Sequence, residues 1–266
     1  MKLVEIDKLN YKYSNTDILS GISLSIRENE RILLVGKNGA GKSTLLRIIA
    51  GMHIVRDYNK FDILGNNIPQ DQCNGLAYLG NKWERSISFG GTTPYIADIK
   101  VKNMLKHWQE EYIDRRNELV DILNIDLNWS MHTVSDGQRK RIQIMLALLK
   151  PFRLLIIDEF LNELDVITRD RFFRYIDDEC NKRNCGIIYA THIFDSLHKW
   201  INKVIYISDG KCEDKINLKK FIKNQENLYE SVKDKMLKDL KKNNEITIAN
   251  LNASKGYSSG RGKLNN

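Results

Sequence analysis

Apolar residues come along this chain in short clusters, and their spacing alternates between the period of a strand and that of a helix. Leu3–Ile6, Ile22–Ile26, Arg31–Val35, Phe61–Leu64 and Gly75–Leu79 read as strands separated by turn residues. A mainly helical stretch follows over roughly 98–128. A second half begins near Ser135, with apolar strands at Leu154–Ile157, Gly186–Ala190 and Val204–Ile207. Helical spacing lies between them at about 137–149, 167–183 and 194–201. Strands that alternate with helices in this way predict an α/β fold, a mostly parallel sheet with helices on its faces.

After Asp209-Gly210 the pattern changes. Leu218, Phe221, Ile222, Tyr229, Val232, Met236 and Leu240 fall at intervals of mostly three or four, which predicts a lysine-rich amphipathic helix over 213–242. Residues 243–266 are rich in Asn, Ser, Gly and Lys and hold too little apolar surface to fold. The net charge of +8 sits mostly here: from Lys211 to Asn266 there are 13 Lys and Arg against 7 Asp and Glu. The body is nearly neutral, so its composition does not describe a nucleic-acid-binding surface. The basic tail is a candidate RNA contact, although packing on the body or on a partner is the favoured reading. Nowhere do 18 apolar residues run together, so no membrane-spanning helix is expected. The N-terminus alternates like a strand and does not read as a signal peptide. Cys73, Cys180, Cys185 and Cys212 have no zinc-type spacing, and reduced thiols in the cytoplasm or nucleus are the expectation.

The densest chemistry lies in Gly36-Lys37-Asn38-Gly39-Ala40-Gly41-Lys42-Ser43-Thr44. This glycine-rich loop sits between an apolar strand and the helical run that starts at Leu45. Glycines let the backbone curl so that its N–H groups point inward around an anion. Lys42 would reach the β- and γ-phosphates of a nucleoside triphosphate, and the Ser43 hydroxyl would hold Mg²⁺. Further on, Leu154–Ile157 deliver Asp158-Glu159 at a strand end. The aspartate suits the Mg²⁺ shell, and the glutamate is placed to orient and deprotonate an attacking water.

Val134-Ser135-Asp136-Gly137-Gln138 precedes that pair, and Tyr189-Ala190-Thr191-His192 follows it. In this order and spacing the whole set resembles the ATP-binding cassette (ABC) ATPases. The resemblance covers residues 1–212 and implies an N-terminal antiparallel β subdomain, a mostly parallel core sheet and a helical subdomain at about 82–134. It also implies that Ser135, Gly137 and Gln138 form the signature that caps the γ-phosphate of ATP held by a second copy. His192 becomes the switch histidine, and Asn162–Asp165 the segment that crosses the dimer interface. Tyr13 lies at the position of the aromatic that stacks on adenine, with Tyr11 a competing neighbour.

Two departures stand out. The family's glutamine after the fourth strand is missing, and Asn81 is the nearest substitute as a ligand to Mg²⁺-bound water. Asp136 replaces a glycine and adds negative charge near the partner's phosphates. The phrases Tyr78–Trp83, Met131–Arg139, Leu149–Phe152 and Tyr189–Asp195 are similar to a group of stand-alone eukaryotic ABC proteins, which includes an ATPase associated with the carbon-catabolite-repression–NOT deadenylase complex. The implied function is a cytoplasmic ATPase, with the nucleus as a second compartment. It would bind ATP and Mg²⁺ in a head-to-tail homodimer and drive a conformational switch in a protein complex. The alternatives are the cassette subunit of a transporter with a separate membrane protein, and an RNA-associated ATPase. Ser88–Tyr95, with its turn residues, is a candidate docking loop.

Overall fold

A computed structural model describes residues 1–67, 73–80, 99–106, 111–194, 197–213, 215–222 and 227–241, without the side chains of 162 and 163. Asn81, the segment 88–95 and the tail from 242 onward lie outside the described residues.

Two sheets organise the chain. The first is antiparallel, in the order β2-β1-β4, with β1 at Lys2–Tyr13, β2 at Thr16–Arg27 and β4 at Lys60–Ile63. The second has β3 (Arg31–Val35), β5 (Leu76–Leu79), β6 (Leu154–Asp158), β7 (Gly186–Ala190) and β8 (Lys203–Ser208) in the spatial order β8-β3-β7-β6-β5. Every neighbouring pair among these five is parallel. Two short antiparallel additions, β9 (Lys211–Cys212) and β10 (Ile216–Asn217), pair with β8. A mostly parallel sheet with a separate antiparallel one matches the predicted class.

Side-chain alternation on the central strands divides the core in two. Leu33, Val35, Leu155 and Ile157 face one apolar cluster. Ile32, Leu34, Leu154 and Ile156 face the other. On the second face, helix α1 (Lys42–Ile49) is sandwiched against the antiparallel sheet, burying Leu45, Leu46, Ile48 and Ile49. On the first face lie α2 (Val101–Met104), α3 (Ile113–Ile122), α4 (Asp136–Leu148) and α5 (Val166–Arg183). Arg115 of α3 ties this layer together. Its Nε donates to the Leu148 carbonyl at 2.7 Å and its guanidinium pairs with buried Glu179 of α5.

Two local expectations are corrected. The helix predicted over 194–201 is, among the described residues, only a single 3₁₀ turn at Leu197–Lys199. The apolar side chains there, Leu197, Trp200 and Ile201, are all buried, and a short turn suffices to insert them. The helix predicted from 213 does not begin there either. Strand β10 comes first, then α6 (Leu218–Ile222), and a further helix, α7, spans 228–241. Of the predicted stripe, Leu218 and Val232 are buried, with Phe221, Ile222 and Met236 packed alongside, but Tyr229 and Leu240 are exposed. Leu228, one position earlier, takes the buried place instead.

Candidate functional site

Three parallel neighbours, β3, β7 and β6, end on the same edge of the sheet, so whatever follows them converges. The loop 36–44 follows β3, Asp158-Glu159 closes β6, and Thr191-His192 follows β7. The crevice at the carboxyl ends of parallel strands is where α/β folds place ligands.

The loop is shaped by close approach. A Cβ on Gly36 would lie 2.1 Å from the Ile207 carbonyl oxygen, so only glycine fits. Gly39 and Gly41 have φ of 79° and 100°, the left-handed region where side chains are strained. Gly41 precedes α1, whose first turn carries Lys42, Ser43 and Thr44, with the helix's free N–H groups facing the loop. Ala40 is buried and Asn38 exposed at the tip. The buried Lys42 ammonium donates to the carbonyls of Gly36 at 2.8 Å and Lys37 at 2.9 Å. Burial lowers its pKa, and the charges of Glu159 and Asp158 oppose that.

The Ser43 hydroxyl donates to Asp158 Oδ1 at 2.9 Å. On the other carboxylate oxygen, the Tyr78 hydroxyl of β5 donates to Oδ2 at 3.3 Å. Arg47, one turn beyond Ser43 on α1, lies close to the Tyr78 phenol, which raises the guanidinium's pKa. Burial pushes the Asp158 carboxyl up, against the bonds from Ser43 and Tyr78 that favour its charged form. Burial also drives the Tyr78 phenol to about 12, so it stays a proton donor. Sequence reading missed Tyr78 and Arg47 as site residues. The Ser43-to-Arg47 spacing of one helical turn was the available signal for Arg47.

Glu159 stands in left-handed backbone at φ 52°, its N–H bound to the Ala190 carbonyl at 2.9 Å. Such a conformation costs a non-glycine residue about 1 kcal/mol or more and persists because its neighbours impose it. It turns the carboxylate toward β7, where Oε1 lies 3.0 Å from His192 Nε2. The buried Thr191 hydroxyl accepts from the Ile193 N–H at 3.1 Å and closes the turn that carries the imidazole.

An aromatic group lies at the end of β1, against His53 just beyond α1. The Tyr13 ring is 43% exposed and edge-on to Tyr11 at 5.1 Å, while Tyr11 is half-buried against the core. The Tyr13 hydroxyl meets His53 Nε2 at 3.0 Å. Of the two tyrosines, Tyr13 is the more exposed.

Ser135 and Gln138 are elsewhere, at the start of α4. Ser135 caps that helix, accepting from the Gln138 N–H at 3.3 Å, while Gln138 Oε1 accepts from the Ser135 N–H at 2.8 Å. This reciprocal box leaves Ser135 exposed and Gly137 half-exposed at the helix mouth. Asp136, in the first turn, suits the positive end of the helix dipole. Two contacts tie α4 to the segment after Glu159. The Lys140 ammonium lies 4.0 Å from the Phe160 ring centre. Arg141 Nη2 lies 2.8 Å from Asp165, which caps α5.

The donor set fits Mg²⁺. A hydroxyl and a carboxylate are hard oxygen ligands, and this ion is commonly held by only one or two protein groups plus phosphate oxygens and water. Among the described residues, no cluster of three or more His, Cys, Asp or Glu side chains forms a metal cage of its own.

Comparison with known proteins agrees with this geometry. A family profile described as ABC transporter matches residues 19–162. ABC transporter I family member 20 of Arabidopsis thaliana is 38% identical over 224 residues, covering 79% of this chain and 68% of that protein. CCR4-associated factor 16 of Saccharomyces cerevisiae is 35% identical over 268 residues, 94% of this chain and 90% of that protein. Among solved structures, the ATP binding subunit of an ABC transporter superposes with a TM-score of 0.72 at 20% identity, covering 88% of this chain and 99% of that one. A nucleotide-free ATP-binding cassette gives a TM-score of 0.64.

Proposed function

Since the chain belongs to the ABC transporter family, we propose that it is an ATPase that closes and opens as a head-to-tail pair of copies. The observation that carries this reading is the convergence of Lys42, the Ser43–Asp158 pair and the Glu159–His192 pair on one sheet edge. The loop N–H groups and Lys42 bind the triphosphate, with Tyr13 stacking under the base. Ser43 and Asp158 would hold Mg²⁺, which when bound would supply charge neutralisation at the phosphate oxygens. Glu159 takes a proton from the attacking water, and His192 holds the Glu159 carboxylate in place and reports the γ-phosphate. Asn81, outside the described residues, is the proposed contact to a water on that ion.

One copy does not finish the site. Ser135 lies exposed and Gly137 half-exposed at the mouth of α4, where free N–H groups and the dipole favour an anion. Val166 and Ile167, just after Asp165, are 71% and 68% exposed, an apolar face that a second copy would cover. A two-fold pair sets each α4 mouth over the other's phosphate loop. Hydrolysis releases the pair, and the motion passes to a protein client. The name of the yeast relative ties that protein to CCR4, a likeness that supports a client in a CCR4–NOT-type assembly, with the cytoplasm as the proposed compartment. No helix among the described residues is long and apolar enough to cross a membrane.

The test is Glu159→Gln. Turnover should stop while ATP and Mg²⁺ still bind, and gel filtration with ATP should show a dimer absent with ADP. A variant that remains monomeric at every ATP concentration would sink the sandwich.

A further inference from the structure

Helix α1 ends in a closed turn. The Gly51 N–H donates to the Ile48 carbonyl at 3.0 Å and the Met52 N–H to the Arg47 carbonyl at 2.8 Å, with Gly51 at φ 73°. This paired closure around a left-handed glycine fixes the direction in which the chain leaves the helix. His53 comes next, half-buried between the exposed Met52 and Ile54. The chain beyond it is held too, since Val55 is buried and the Asn10 N–H of β1 donates to the Asp57 carbonyl at 2.9 Å. The imidazole is thus carried on a short segment tied to α1 at one end and to β1 at the other. It completes a group of three rings, with centres 5.5 Å from Tyr11 and 5.7 Å from Tyr13, which are themselves 5.1 Å apart. Its Nε2 meets the Tyr13 hydroxyl at 3.0 Å. Either imidazole tautomer completes that bond, because a phenol both donates and accepts. The same strand pair adjoins the phosphate loop. Tyr11 is in register with Leu19 of β2, and Leu19 Cδ2 would lie 2.6 Å from a Cβ on Gly41.

We propose that His53 is a positioning residue of the nucleotide site, which holds the Tyr13 hydroxyl and so sets the plane of the ring that stacks on the base. This deepens the proposed function and rests on Tyr13 being that ring. A tyrosine at an exposed strand end is otherwise free to turn, and ordering it would cost entropy each time a nucleotide bound. The bond to His53 is made before the ligand arrives, so that cost is already met. Through the closed end of α1, the ring is also tied to the helix that carries Lys42 and Ser43. The effect belongs to the base alone. A ligand made only of phosphates uses the loop and does not meet the ring.

The test compares ATP with inorganic tripolyphosphate, which has the phosphates but no base, each titrated with Mg²⁺ into the full chain by isothermal calorimetry. His53→Leu keeps most of the bulk and removes the bond. It should weaken ATP binding about three- to tenfold, the worth of one hydrogen bond, and leave tripolyphosphate within about twofold. In the Tyr13→Phe background, where the hydroxyl is already gone, His53→Leu should cost nothing further. Unchanged ATP affinity in His53→Leu, an equal loss for both ligands, or an equal loss in the Tyr13→Phe background overturns the proposal. Full ATP affinity in Tyr13→Ala would instead overturn the stacking assignment on which the inference rests.

Discussion

Asp158 shows how much a single buried carboxylate depends on its donors. Both of its oxygens are engaged, one by Ser43 and the other by Tyr78, and Arg47 lies close to that phenol. Tyr78→Phe removes one donor and leaves Oδ2 buried with one partner fewer, which favours the neutral acid over the carboxylate. Supporting groups behind metal ligands typically alter metal affinity about 10- to 100-fold when removed. The Mg²⁺ concentration needed for half-maximal nucleotide binding should accordingly rise by about tenfold, with binding restored at high Mg²⁺. An unchanged Mg²⁺ requirement would show that the Tyr78 bond does not orient Asp158. Lys42→Ala should behave differently, losing most nucleotide affinity at any Mg²⁺ concentration, as isothermal calorimetry can read. The loop residues were visible in the sequence because they are contiguous and every one follows from the geometry of an anion cradle. Tyr78 was not, because it reaches the site from β5 with no local spacing to mark it, and Arg47 was marked only by standing one helical turn after Ser43.

At the scale of elements, the strands that carry the site were legible because they are unbroken apolar runs with charged or glycine-rich ends. Leu154–Ile157 is such a run, and β6 occupies it with every residue buried. The segment after Gly210 was misread for the opposite reason. Strand β10 is two residues long and exists only by pairing with β8, which no local pattern announces. The stripe was read one position out of phase where Leu228, not Tyr229, turns inward, since 3.6-residue spacing tolerates neighbouring assignments over a short helix. The sequence also gives no hint of what joins α3 to α5. Arg115 and Glu179 are 9% and 5% exposed, and the guanidinium also lies 5.5 Å from the Tyr175 ring centre. Breaking a buried pair strands the surviving charge, so Glu179→Ala should destabilise the fold by about 3–5 kcal/mol in urea titration. A loss near the ~0–1 kcal/mol of an exposed pair would mean that water reaches Arg115.

For the whole molecule, the question is whether one nucleotide site is built by one copy or by two. Within a single copy, Ser135 and Gln138 cap each other, while Lys42, Ser43 and Glu159 serve a different face of the sheet edge. The α4 mouth is nevertheless coupled to Glu159's segment through Lys140–Phe160 and Arg141–Asp165, so a phosphate gripped there would be felt by the copy's own catalytic loop. Two inactive variants separate the cases. Lys42→Ala destroys the loop. Gly137→Asp adds a carboxylate where the partner's γ-phosphate is to sit, yet suits the first turn of α4 and leaves the fold intact. If sites are composite, a mixed dimer has one site with both defects and one with none. An equal mixture forms mixed dimers half the time, so about a quarter of the unmodified turnover per chain should return. If each copy works alone, neither variant has anything to lend the other, and the mixture stays as inactive as its components.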